Sequence, residues 1–314
     1  MDVVTGAAGF IGSNLAQRLL EHGERVVGID CLTDYYDRSR KLQNVEQLLD
    51  HDRFTLEVLD CAHQDLFDVL DGATRVFHLA GQPGVRPSWG LSFHDYVERN
   101  VLATQKLAEA CVAQGVDRFV YASSSSVYGD ALTRPTPEAV APRPMSPYGV
   151  TKLAAEHLCG VYGAAHALSF ASLRLFTVYG PGQRPDMAFS RLVDAALQGL
   201  PFTLHDDGLQ ERDFTYVDDV VDAFIAAGDS TWTGIANVGG GAPVTMRDAI
   251  ELVGELCGPL EIVQGGHQHG DVRNTYADIS TARRVLAYEP KVPLAEGLGR
   301  MVQWAREREG MVAA

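Results

Sequence analysis

Tyr148 and Lys152 stand four residues apart in the segment Ser146-Pro147-Tyr148-Gly149-Val150-Thr151-Lys152. Ser146 suits a helix N-cap and Pro147 the first helical turn, so the segment reads as the start of a helix. At that spacing the phenol and the ammonium share one face. A free phenol titrates near pH ~10, too high for a base at neutral pH. A nearby cation favours the phenolate, and the positive end of the helix adds to the effect. Such a pair can take a proton from an alcohol. Such pairs are also common on ordinary surface helices, so the motif alone favours that reading and the rest of the chain has to decide.

The amino terminus bears on that choice. Met1 to Val4 reads as a short apolar strand, Thr5-Gly6-Ala7-Ala8-Gly9-Phe10-Ile11-Gly12 as a turn, and Ser13 to Glu21 as an amphipathic helix. Gly6 permits the tight turn, Gly9 lets backbone approach a pyrophosphate, and Gly12 lets helix and strand pack closely. The helix N-terminus then faces the phosphates. A second strand, Arg25 to Ile29, ends in Asp30, eighteen positions after Gly12. That is close to the spacing of a carboxylate that binds the adenosine ribose diol. A carboxylate there repels a 2′-phosphate, which favours NAD over NADP. The alternative for Asp30 is a loop acid after a strand.

Further strand signals run from Phe54 to Leu59, Arg75 to Leu79, Arg118 to Ala122 and Leu168 to Leu173. Helical patterns lie at Arg38 to Leu49, Gln64 to Leu70, Phe93 to Gln114 and Pro147 to Tyr162. Strand-helix alternation with near-continuous apolar strands places the chain in the α/β class, as a doubly wound parallel sheet covered on both faces. Ligands of such sheets bind beyond the carboxyl ends of the strands. The glycine turn, Asp30, Asp60, Ala80-Gly81 and the serines after Ala122 all fall there.

With these marks in order, nearly the whole chain resembles the extended short-chain dehydrogenase/reductases, specifically the NAD-dependent nucleotide-sugar epimerases and dehydratases. His78-Leu79-Ala80-Gly81-Gln82, Asn100 in a long helix, and Arg212-Asp213-Phe214-Thr215-Tyr216-Val217-Asp218-Asp219 add to the likeness. The resemblance implies a Rossmann-type domain with a smaller C-terminal α/β substrate lobe. It implies Tyr148 as base, Lys152 as its tuner and a contact of the nicotinamide ribose, and Ser124 as the third catalytic group. It also implies that Gly6, Gly9, Phe10, Ile11, Gly12, Asp30, Asp60, Cys61, Leu79, Ala80, Gly81 and Asn100 hold NAD. Arg212 is expected at a sugar-nucleotide phosphate, and Phe202 and His205 at the uridine.

Ser123-Ser124-Ser125-Ser126-Val127-Tyr128-Gly129 narrows the reaction. In the related 4,6-dehydratases an Asp-Glu pair stands where this chain has Ser125 and Ser126, and in the uronate decarboxylases a Glu stands at Ser126. Hydroxyls hold a substrate by hydrogen bonds but are poor proton donors to carbon, and 4-epimerisation needs no second acid. The run also suits a strand-end turn stabilised by hydroxyl-to-backbone bonds, and both readings hold together. Thr33-Asp34-Tyr35-Tyr36, Gly84-Val85-Arg86-Pro87-Ser88 and the stretch from Arg174 to Met187 resemble the UDP-glucuronate 4-epimerases. In that group small hydroxyl residues receive the sugar carboxylate, and here Ser124, Ser125, Ser126 and Thr177 match. Arg184 and Arg86 are nearby cations; each is also readable as a phosphate contact or a loop salt bridge. Galactose-type relatives carry an arginine before the pair matching Gly270-Asp271, where this chain has Gln268, and Arg273 is expected to supply that contact.

The implied activity is C4 epimerisation of a UDP-hexuronic acid, UDP-glucuronate to UDP-galacturonate. It passes through a 4-keto intermediate and loses no carbon dioxide. A UDP-glucose or UDP-N-acetylhexosamine 4-epimerase and a non-catalytic NAD-binding module are the alternatives. Net charge −15 over 314 residues argues against nucleic acid or anionic membrane as partners. Five scattered cysteines without metal-ligand spacing read as reduced thiols. No metal is expected; His267-Gln268-His269 reads as a polar loop. With no signal peptide or membrane-length apolar run, a cytoplasmic protein is expected. The first strand begins at Met1, short for the fold, so one or two residues are expected to be missing before an intact cofactor motif. Residues 1–177 with about 213–240 are expected to form the NAD-binding domain, and about 178–212 with 241–314 the nucleotide-sugar lobe. By analogy with the family, the Phe93 and Tyr148 helices pair in a homodimer.

Overall fold

A computed structural model of the chain describes residues 1–266, 272–308 and 310. His267, Gln268, His269, Gly270 and Asp271 lie outside the described residues. In chain order the strands are β1 (Asp2–Thr5), β2 (Val26–Ile29), β3 (Phe54–Glu57), β4 (Arg75–His78), β5 (Arg118–Ser124), β6 (Phe170–Leu175), β7 (Val178–Tyr179), β8 (Phe202–Leu204), β9 (Glu211–Asp213), β10 (Thr215–Tyr216), β11 (Gly234–Val238), β12 (Pro243–Thr245) and β13 (Ile262–Gln264). The α-helices are α1 (Phe10–Glu21), α2 (Arg38–Leu49), α3 (Phe93–Tyr96), α4 (Ala103–Gln114), α5 (Pro147–His166), α6 (Ala188–Gln198), α7 (Val217–Asp229), α8 (Met246–Cys257), α9 (Ser280–Leu286) and α10 (Leu294–Arg308).

Seven strands form one parallel sheet in the order β11-β6-β5-β4-β1-β2-β3. Alternate residues feed opposite layers, as a strand period of two requires. Val3, Val76, Phe119 and Tyr121 pack with Leu107 and Cys111 of α4 and Ala155 and Cys159 of α5. Val4, Phe77, Val120 and Ala122 pack on the other side with Leu15 and Leu19 of α1 and Val220 and Phe224 of α7. The chain order reverses between β4 and β1, the switch point where such sheets open a crevice at their carboxyl ends. After β6 the chain leaves the sheet for α6, β8 and β9, then returns through α7 so that β11 pairs with β6. Three two-stranded pairs, β13 with β8, β12 with β9 and β10 with β7, lie outside this sheet.

Several expectations shift. Gln64 to Leu70 is not a helix; only a 3₁₀ turn, Asp68–Leu70, forms there. Asp60 accepts from Ala62 N–H and Asp65 from Phe67 N–H, and these local bonds compete with a helix. The run from Phe93 to Gln114 is helical throughout but passes through a π turn, Val97–Leu102, between α3 and α4. The strand expected from Leu168 to Leu173 lies two residues later, because Ala167 closes α5 in the left-handed region at φ 57°.

Arg174 therefore sits inside the sheet rather than at its end. It survives there because Glu156 of α5 meets it in a two-point ion pair, Nε to Oε2 at 2.9 Å and Nη2 to Oε1 at 2.6 Å, with Ser123 Oγ donating to Oε2 at 2.8 Å. Both side chains are almost wholly buried. Removing one partner strands the other charge, which costs about 3–5 kcal/mol. Glu156→Ala should therefore lose about that much stability in urea titration, and a loss below about 1 kcal/mol, the worth of a surface pair, would disprove the assignment.

Candidate active site

A cleft of about 570 Å³ runs across the carboxyl ends of the sheet, within the range of small-molecule sites. One end is backbone. Gly6, at φ 72°, has no room for a side chain, since a Cβ would stand 2.8 Å from Ala80 N, and a Cβ on Gly12 would stand 2.1 Å from Gly6 O. Gly9 caps α1 without a side-chain bond, so the first-turn N–H groups of that helix are left to other acceptors. Asp30 closes this end, nearly buried. Its Oδ2 accepts from Ala8 N–H at 3.1 Å and its Oδ1 from Leu32 N–H at 2.8 Å. Phe10, Ile11, Asp60, Cys61, Leu79, Ala80 and Gly81 line the same half.

A chain of hydrogen bonds fixes the loop after β4. Ala80 N–H donates to Thr5 Oγ1 at 3.1 Å, Thr5 pairs with His78 Nδ1 at 2.7 Å, and His78 Nε2 pairs with Thr104 Oγ1 at 2.9 Å. Thr104 donates to Asn100 C=O at 2.7 Å. Because the Thr104 proton is used there, the network assigns the ring proton to Nε2 and makes Nδ1 the acceptor. Burial pushes His78 down to about 3, so the ring is neutral. Asn100 continues the chain from its side chain. Its Oδ1 accepts from Gln82 N–H at 2.6 Å, and its Nδ2 donates to Gln82 C=O and to Thr151 Oγ1 at 3.0 Å. Thr151 donates in turn to Tyr148 C=O at 2.8 Å. The amide of Asn100, expected at the cofactor, is thus engaged in holding the Gln82 loop to α5, while the residue also lines the cleft.

The other half gathers side chains. Ser146 caps α5 by accepting from Gly149 N–H at 3.1 Å, with Pro147 in the first turn, as the sequence indicates. Half-buried Tyr148 faces the cleft with Lys152 one turn on. Ser124, at the end of β5, accepts from Ser126 N–H at 3.1 Å and lines the cleft with Tyr148. Ser125, Ser126, Thr177, Arg184 and Arg86 line the same end. Phe202 and His205, on and just after β8, line the cleft with Arg191, Gln210 and Met246.

The electrostatics differ from the expectation at one point. Burial raises Tyr148 above the usual phenol value; the groups that pull it back are the Ser124 hydroxyl and the Arg184 guanidinium. Lys152 lies with its ammonium 4.4 Å from the Tyr121 ring centroid. Burial pushes it down to about 7, against weaker upward pulls from Cys159 and Glu156. A lysine so desolvated carries its full charge only below neutrality, so Arg184 is the standing cation beside the phenol.

Two expected substrate residues stand outside the cleft wall. Arg212 Nη1 donates to Arg273 C=O at 2.9 Å, and Arg273 pairs with Asp207 at 2.9 Å. Other residues lie on the wall without having been singled out. Arg99 donates to Gln82 Oε1 at 2.6 Å. Lys41 bonds Thr33 Oγ1 at 2.9 Å and sits 3.9 Å from Asp30. Lys41 carried a readable signal, because it occupies the buried stripe of α2 with Val45 and Leu48, where an apolar residue belongs. Among the described residues, one group has metal-ligand spacing, exposed His94 with Asp95 and Glu98; it does not line the cleft. No described helix is long and apolar enough to cross a membrane.

Residues 3–239 match the model of the NAD dependent epimerase/dehydratase family. The chain is 43% identical over 300 residues to an uncharacterized UDP-glucose epimerase, YtcB, of Bacillus subtilis, covering 94% of this chain and 95% of that protein. It is 36% identical over 310 residues to the UDP-glucuronate 4-epimerase of Thermodesulfobacterium geofontis, covering 97% and 96%. Its fold matches the crystal structure of UDP-glucuronic acid 4-epimerase from Bacillus cereus, in complex with UDP-glucuronic acid and NAD. That match has a TM-score of 0.95 and 41% identity, covering 98% of this chain and all of that one.

The state of Lys152 has a measurable consequence. An unfolded lysine keeps its proton to near pH ~10.4, whereas the folded one holds it only to about 7. Between those values the unfolded chain binds the extra proton, so this group makes folding more favourable as pH rises and less favourable as pH falls toward 7. In urea titrations between pH 7.5 and 9.5, stability should gain up to ~1.4 kcal/mol per pH unit from Lys152. Lys152→Met should lack that component, and parallel pH dependences in the two proteins would rule it out.

Proposed function

The chain belongs to the NAD dependent epimerase/dehydratase family, and from that premise we propose that it epimerises C4 of a UDP-hexuronic acid, interconverting UDP-glucuronate and UDP-galacturonate without decarboxylation. One observation carries the reading: Tyr148 shares one cleft with a cluster of hydroxyls at 124–126 and 177, while the glycine turn and Asp30 form the opposite end.

Bound NAD supplies the group that accepts and returns hydrogen at the sugar carbon. The residues present fit it. Neither Gly6 nor Gly12 has space for a Cβ, α1 offers first-turn N–H groups to phosphate, and Asp30 with Lys41 provides a ribose subsite. Tyr148 takes the proton of the 4-hydroxyl and gives it back; the Ser124 hydroxyl and Arg184 offset the cost of burying a phenolate. The 4-keto sugar formed between these events is a β-keto acid. Ser124, Ser125, Ser126 and Thr177 hold its carboxylate by hydrogen bonds, away from the orientation that favours loss of carbon dioxide. Neither position 125 nor 126 offers an acid to protonate C5. Phe202 and His205 meet the uridine, and Arg212 and Arg273 stand one step back, toward the diphosphate.

Residues 1–177 with about 213–240 serve as the cofactor domain, and about 178–212 with 241–314 as the sugar-nucleotide lobe. The protein acts as a cytoplasmic homodimer. Its five cysteines carry no disulfide, and Val97, Leu102, Val150 and Val161 expose apolar surface along the two helical segments that pair in this family.

Purified protein incubated with UDP-glucuronate should yield UDP-galacturonate. Conversion of UDP-glucose or a UDP-N-acetylhexosamine alone would replace this reading with a neutral-sugar epimerase, and turnover of none of the three would leave a binding module. Tyr148→Phe should lower kcat by about 10²–10⁴-fold, the usual worth of a general base, with UDP-sugar binding nearly intact; strong residual turnover would refute the assigned base. Ser126→Glu should raise the decarboxylated product, and an unchanged product ratio would count against the role given to the hydroxyls.

A further inference from the structure

The sugar end of the cleft holds a carboxylate to which neither the resemblance nor the reaction gives a role. Asp186 follows Arg184 by two residues in the loop before α6, and both line the cleft. Asp186 Oδ1 accepts from Arg184 Nε at 3.0 Å and Oδ2 from Nη2 at 3.1 Å. This fork-on-fork pairing fixes the plane of a guanidinium as well as its place. The Tyr35 hydroxyl, in the loop after β2, donates to Asp186 Oδ2 at 3.3 Å, and the Arg184 guanidinium stands 5.9 Å from the Tyr35 ring centroid. Asp186 thus ties a loop of the cofactor half to a loop of the sugar half. The pair takes two of the three guanidinium nitrogens and leaves Nη1 outside it.

We propose that Asp186 is a positioning residue for the acidic sugar: it grips one edge of Arg184, turns the other toward the substrate carboxylate, and limits how much of the arginine's charge reaches the catalytic phenol. This rests on the epimerase reading above. Tyr148 is faced by the Ser124 hydroxyl, by Arg184, by the Tyr35, Tyr96 and Tyr121 hydroxyls, and by Lys152 one turn along α5. Of these, Arg184 is the one with a carboxylate clamped to it. Asp186 itself is faced by Arg184, Tyr35 and Tyr36. Burial alone would raise its carboxyl, but the guanidinium outweighs burial and holds it below the usual range. It therefore stays ionised at neutral pH and gives no proton to a 4-keto acid.

The test uses the full-length, NAD-loaded protein with Asp186→Asn, Asp186→Ala and Asp186→Glu. Ionisation of Tyr148 is read by difference absorbance against Tyr148→Phe in each background, without sugar. Asp186→Asn leaves Arg184 uncompensated and should move that ionisation to lower pH by about half a unit to one unit. Asp186→Ala should raise KM for UDP-glucuronate about tenfold or more, the worth of a charge-assisted hydrogen bond. Inhibition by UDP, which lacks the sugar, should stay within about twofold, and Asp186→Glu should recover most of the loss. Wild-type titration and wild-type KM in both Asn and Ala variants would overturn the proposal. So would weakening of UDP as severe as that of UDP-glucuronate, the mark of a merely structural residue. Wild-type protein inert toward UDP-glucuronate would sink the epimerase reading alone; the Tyr148 titration, which needs no sugar, still decides Asp186.

Discussion

The site depends on one run of hydrogen bonds through the middle of the sheet, from Ala80 N–H through Thr5, His78 and Thr104 to Asn100, and on through Thr151 to the backbone of Tyr148. It joins the first strand, the loop after β4, the helix that carries Asn100 and the start of α5. Each member has its donor or acceptor paired inside the protein, which is the condition under which a buried polar network rigidifies rather than weakens a core. The neutrality of His78 is part of this, because a protonated ring would have two donors and no acceptor for the Thr5 hydroxyl. The cofactor half and the base are therefore held in one register by the same set of atoms.

Charge is handled differently at each depth. Deep in the sheet, Glu156 and Arg174 cancel each other at hydrogen-bond distance. At the floor of the cleft, Lys152 meets burial with an aromatic face and a lowered affinity for its proton. At the exposed mouth, Arg184 keeps its charge but shares it with Asp186. An acidic protein thereby offers a local positive environment to an anionic ligand without a broad basic patch.

Much of this was legible because the chemistry of glycine, proline and caps is local. The turn from Gly6 to Gly12 and the Ser146-Pro147 start of α5 depend on neighbours in sequence. What was not legible depends on partners far along the chain. Arg174 ends an apolar pattern on paper, yet it continues β6 because Glu156 neutralises it. The π turn at Val97–Leu102 leaves no mark in hydrophobic spacing. Arg212 and Arg273 look like phosphate ligands by motif, yet Arg212 donates to the backbone carbonyls of Glu211 and Arg273, and Arg273 pairs with Asp207. Nothing in the sequence gives Asp186 a role, because the Tyr35 hydroxyl that reaches it comes from a loop about 150 residues earlier.

The pairing of β11 with β6 has a consequence for how the molecule is made. The outer edge of β6 is complete at Leu175, but its partner strand ends only at Val238. At about 5–20 residues per second of synthesis, that edge stays unpaired for several seconds, with the segment that builds α6 and β8 emerging in between. A ribosome-bound chain therefore displays an open, apolar strand next to the nascent crevice. Closure of the sheet by this late non-local pairing, intrinsically slow because its loop must first be gathered in, is the step at which the nascent polypeptide is most in need of protection from its neighbours.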